Sequence, residues 1–148
     1  MERVDTYDVC FQISGADMNP DDISEQLGLS PDECFSPHES TGMRNGATIE
    51  RASSDIGTWV IRGISETEPI PKQIEQILVI LRPLKEKLLN IKKTGLNMRF
   101  YCGYFADDST AGLSLSNDLM MEMGSLGINF DISFYCNLQV RVAEGNNA

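Results

Sequence analysis

Near the start of the chain Tyr7, Val9, Phe11 and Ile13 alternate with Asp8, Cys10 and Gln12, the two-residue period of a strand with one buried face. Ser14-Gly15 breaks that run. Asn19-Pro20-Asp21-Asp22 then offers an N-cap, a proline at the first helical position and two acids at the positive end of the helix dipole. Ile23 and Leu27 face the core from this helix, and Gly28 ends it after about two turns. A second strand is expected in GTWVIRGI, with Trp59 and Ile61 inward and Thr58, Val60 and Arg62 on the other face. The longest helical pattern runs from Pro71 to Lys93, where Ile74, Ile77, Leu78, Leu81, Leu84, Leu88 and Ile91 recur at three- and four-residue steps. Pro83 should bend it and Gly95 should stop it. LNMRFYCGYF predicts a third strand that buries Met98, Phe100, Cys102 and Tyr104. Ser116-Asn117-Asp118 caps a further helix to about Met123, with Leu119, Met120 and Met123 inside. Ile128, Phe130, Ile132, Phe134 and Cys136, alternating with Asn129, Asp131, Ser133 and Tyr135, close the core.

The resulting order is strand, helix, strand, long helix, strand, helix, strand. It predicts one α+β domain over residues 1–143 with a flexible tail at 144–148. Its mostly antiparallel sheet of four to six strands has helices on one face, in a ferredoxin-like layout with an extra long helix. Two segments, ISGADMNPDDISEQLGL and FADDSTAGLSLSNDLMMEMGSLGI, echo one another, each passing from a strand end through an acidic turn into a short capped helix. Residues 36–57 are polar and read as a long surface loop with a short strand at Thr48 to Arg51.

Charge changes this picture for the surface. The 148 residues carry a net charge of -10, which argues against nucleic acid, since backbone binding needs a basic surface. Residues 1–40 hold ten acids and one base, a net of -9, so the rest of the chain is nearly neutral. Such a concentration is either a solubilising surface or a docking field for a basic partner. No apolar run is long enough for a membrane span and no secretory signal is visible, so a cytoplasmic protein is expected.

Candidate chemistry is sparse. Asp17, Asn19 and Asp21 imitate the first ligands of a calcium loop, but Asp22 stands where the turn needs glycine and Gly28 where the bidentate acid belongs. Cys10, Cys34, Cys102 and Cys136 are dispersed, with no CxxC pair, so free thiols and no metal are expected. No motif places a nucleophile beside the single histidine, His38. Neither a catalytic residue nor a cofactor is therefore assigned, and the chain is not expected to be an enzyme.

FQISGADMNPDDISEQLGLSPDECF, GTWVIRG and AGLSLSNDLMMEMGSLGINFDISFY together resemble the bacterial domain of unknown function 4279 family over nearly the whole chain. These are packing motifs. The resemblance implies a small soluble bacterial or phage protein and brings no catalytic residues with it.

Two functional readings stay open. The first is a small acidic protein-binding module, such as an immunity or inhibitor protein that neutralises a basic partner like a toxin. The alternative is a small-ligand or sensor domain that uses the open sheet face and the 36–57 loop. The candidate partner-binding residues are Glu25, Asp32, Glu33, Arg44, Arg62, Arg99, Tyr101, Asp131 and Tyr135. The partner is expected to be a basic protein, neither nucleic acid nor membrane, and the chain a monomer or weak homodimer.

Overall fold

The computed structural model describes residues 4–107 and 110–136; the expected tail at 144–148 lies outside them. In chain order the elements are β1 (Thr6–Ala16), α1 (Pro20–Leu27), β2 (Glu33–Phe35), β3 (Thr41–Arg44), β4 (Ala47–Glu50), β5 (Ile56–Arg62), α2 (Ile70–Leu81), α3 (Lys85–Lys93), β6 (Asn97–Ala106), α4 (Asn117–Ser125) and β7 (Asn129–Cys136). A 3-10 turn, Arg82–Leu84, joins α2 to α3, so residues 70–93 form one 24-residue helical segment broken at Pro83.

All seven strands form one sheet in the order β4-β3-β2-β5-β1-β6-β7. The count exceeds the four to six expected. Every neighbouring pair is antiparallel except β6 and β7, which run parallel. A parallel pair needs a crossover, and the segment containing α4 supplies it. Read in chain order, β1, α1, β2, β5, the long helical segment and β6 give β-α-β-β-α-β. The β3–β4 hairpin is inserted ahead of β5, and α4 with β7 is added after β6.

The expected loop at 36–57 is corrected by this hairpin. Asn45 (φ 49°) and Gly46 (φ 82°) both take the left-handed conformation, the geometry of a two-residue turn whose twist matches the flanking strands. Both strands present mostly exposed side chains. Backbone pairing, with little apolar burial, holds them.

The helices pack on one face of the sheet, where Val9, Phe11, Ile13, Trp59, Met98, Phe100 and Cys102 meet Ile23, Ile74, Leu78, Leu88 and Met123. Trp59 is fully buried and donates its indole N–H to Ser24 Oγ at 3.0 Å, so a large apolar body is buried with its polar handle satisfied. Asn19 caps α1 by accepting from the Asp21 N–H, and Gly28 closes it in the left-handed conformation. Ser116 caps α4 through the Leu119 N–H. Met120, expected inside, is 51% exposed because α4 turns only Leu119 and Met123 to the core. Among the described residues no helix is long and apolar enough to cross a membrane.

Candidate functional site

The second face of the sheet carries no helix among the described residues, and strand alternation decides what it displays. Cross-strand register aligns Arg44, Glu33, Val60, Gln12, Arg99 and Asn129 in one row. The next row holds Arg62, Cys10, Tyr101 and Asp131. Beyond them lie Asp8, Gly103 and Ser133, then Thr6, Phe105 and Tyr135 at one end of the face.

Charges on this face are paired within its plane. Glu33 accepts from Arg44 at 3.1 and 3.2 Å and from Arg62 at 2.5 Å. Arg62 also reaches Asp8 at 3.1 Å. Farther along, Arg99 donates to Gln12 at 2.8 Å and to Asp131 at 3.0 Å while its guanidinium lies 4.8 Å from the centre of the Tyr101 ring. Burial tends to raise the Glu33 carboxyl, but the hydrogen bonds and charges of Arg44 and Arg62 outweigh it and hold the group below its ordinary value. Burial likewise tends to lower Arg62, and the Glu33 bond overcomes it, raising the guanidinium. Cys10 and Val60 point to this face yet are buried, since the long polar side chains beside them lie along the sheet. Burial pushes the Cys10 thiol up to about 11, with Arg62 opposing the rise.

Seven of the nine candidate residues therefore share one surface: Glu33, Arg44, Arg62, Arg99, Tyr101, Asp131 and Tyr135. The other two do not join it. Glu25 is exposed on α1, behind the sheet. Asp32 sits just before β2, where its carboxylate accepts from the Arg62 backbone N–H at 2.8 Å and its carbonyl from the Asn45 N–H at 2.6 Å. That bonding makes Asp32 a tie between β5 and the hairpin. Glu25, Asp32 and Glu33 thus form no common acidic patch.

Phe105 was not among the candidates and belongs to the face. Its ring stacks on Tyr135 at 4.8 Å with an interplanar angle of 10°. The signal was present in the sequence: once Met98, Phe100, Cys102 and Tyr104 face the core, Phe105 must face away. His38 contacts Asp17, Nε2 to Oδ1 at 3.1 Å, and both side chains are largely exposed. Among the described residues no group of three or more His, Cys, Asp or Glu side chains is placed to hold a metal. All four cysteines are free.

Residues 5–137 match the family model described as Domain of unknown function (DUF4279). The chain belongs to that family. No curated protein and no solved structure matches it. In this DUF4279 chain the matched span runs from before β1 to just past β7, so the open face is made of family-domain strands throughout.

Proposed function

We propose that this DUF4279 chain is a protein-binding module and that the open sheet face is its recognition surface. The observation that carries the reading is the arrangement of that face: charges already paired in the plane, with Tyr101, Phe105 and Tyr135 36%, 44% and 50% exposed among them. Aromatic anchors set among charges already in ion pairs are what a protein interface needs, because the partner buries apolar area without stranding a charge. The segment at 36–57 extends the sheet instead of folding over the face, which weakens the small-ligand alternative.

A basic partner suits the net charge of -10, though the attraction is long-range. The ion pairs of the face are balanced, with Asp8, Glu33 and Asp131 against Arg44, Arg62 and Arg99. A field of this kind speeds encounter, while the face supplies the fit. Neutralisation of a basic toxin in a bacterial cytoplasm, the immunity role, is the form of this reading we favour, and we read the β-α-β-β-α-β core as ferredoxin-like.

Photo-crosslinking tests the reading. A crosslinking residue at Tyr101 should capture one protein in the native cell. The same residue at Met121, 69% exposed on α4 behind the sheet, should capture nothing specific. Capture from position 121 alone, or from neither, would overturn the assignment of the face.

A further inference from the structure

The open face treats its aromatic rings in a repeated way. The Arg51 guanidinium lies 4.5 Å from the centre of the Phe35 ring, and that of Arg99 lies 4.8 Å from Tyr101. Phe35 is 7% exposed. The Phe105–Tyr135 stack is the exception. No described arginine covers it, and its rings are the most exposed aromatics of the face, at 44% and 50%.

Two open hollows meet at Phe105. One, of about 470 Å³, is bounded by Asp8, Gly63, Glu66 and Gln73; the other, of about 330 Å³, by Val4, Asp107 and Tyr135. Among the described residues their lining includes the acids Asp8, Glu66 and Asp107 and no lysine or arginine. Exposed rings beside carboxylates attract a cation, and a guanidinium suits them best because it is planar, weakly hydrated and able to stack while its edge donates to a carboxylate.

We propose that the Phe105–Tyr135 stack is the seat of an arginine side chain from a basic protein partner, its guanidinium flat against the exposed ring and its N–H groups directed at the flanking carboxylates. The partner thereby repeats in trans the arginine-over-ring contact that Arg51 and Arg99 make within the chain. This inference rests on the reading of the open face as a protein-binding surface, and it names the partner group that the face selects.

Labelled hepta-arginine and hepta-lysine peptides, titrated into the full chain at several salt concentrations, provide the probe. The arginine peptide should bind at least about fivefold more tightly than the lysine peptide, and the preference should persist at high salt. The double variant Phe105→Ala, Tyr135→Ala should abolish the preference while leaving the circular dichroism unchanged. Should that variant fail to fold, Glu66→Gln, a surface change, should still weaken arginine binding. Equal affinity for the two peptides, or a preference untouched in the variants, overturns the proposal. A partner crosslinked from Tyr101 separates the two levels of argument. If Phe105→Ala, Tyr135→Ala retains it while Arg62→Ala, Arg99→Ala loses it, the protein-binding reading stands and the arginine seat falls. Retention by both sets overturns both.

Discussion

Glu33→Gln isolates the ion-pair network at the centre of the open face. The Glu33 side chain is only 12% exposed and receives both nitrogens of the Arg44 fork as well as Arg62. Glutamine keeps the shape but offers one oxygen in place of two, and it turns an amide N–H toward a guanidinium donor. Arg44 is half exposed, at 50%, so water compensates most of its loss and that bond contributes less than about 1 kcal/mol. Arg62, 26% exposed, is compensated less, and a hydrogen bond between charged groups contributes about 1.5–3 kcal/mol. The retained pairing of Arg62 with Asp8 limits the damage. A loss of about 1.5–3 kcal/mol follows, or roughly 3–12 °C in melting temperature at about 2–4 °C per kcal/mol.

The pH dependence has a definite sign. Folding depresses the Glu33 carboxyl, so its stabilisation is complete above the ordinary value of 4.5 and is lost as pH falls through the lower folded value. Urea denaturation of wild type and Glu33→Gln should therefore show the widest gap at neutral pH and a closing gap on acidification. A gap below about 0.5 kcal/mol at pH 7, or one that does not narrow below pH 4.5, would refute the reasoning.

Two further outcomes are expected. Gly57→Ala should abolish soluble expression or cost more than about 3 kcal/mol in a urea melt, because its Cβ would strike the Met18 carbonyl oxygen, which is backbone and cannot yield; a variant of wild-type stability contradicts that packing. Burial pushes Cys10 up to about 11 and Cys102 up to about 12, so at pH 8 both should resist a thiol reagent in the native protein while Cys34 and Cys136 react first. All four should react in urea, and rapid native reaction of all four would contradict the burial.

What could be read in the sequence follows burial. β1, the capped α1, the segment broken at Pro83 and the core position of Trp59 all announce themselves because one face of each is buried, which forces a periodic pattern. β3 and β4 lack such a face, so their residues show no alternation, and only Asn45-Gly46 marks the turn. β6 and β7 are individually legible, but strand direction leaves no trace in alternation, and the parallel pairing depends on the α4 crossover. The candidate site divides the same way. Alternation assigns Arg62, Arg99, Tyr101, Asp131 and Tyr135 to one face, whereas the meeting of Glu33 with Arg44 and Arg62 depends on register between strands distant in sequence. Asp32 and Glu33 are neighbours with the same chemistry, and only strand position separates the backbone tie from the surface network.

β1 lies inside the sheet, between β5 and β6, although it is the first of these seven strands to be synthesised. Its two neighbours come much later, with Cys10 opposite Arg62 and Thr6 opposite Phe105. At about 5–20 residues per second, roughly 5–18 s separate the completion of β1 from that of β6. Throughout that interval Val9, Phe11 and Ile13 are an apolar strand with at least one edge unsatisfied, the state most open to capture by another nascent chain. The sheet order thus makes the last third of the chain a condition for protecting its beginning, and a ribosome stalled within the long helical segment would release a product in which β1 has one side bare.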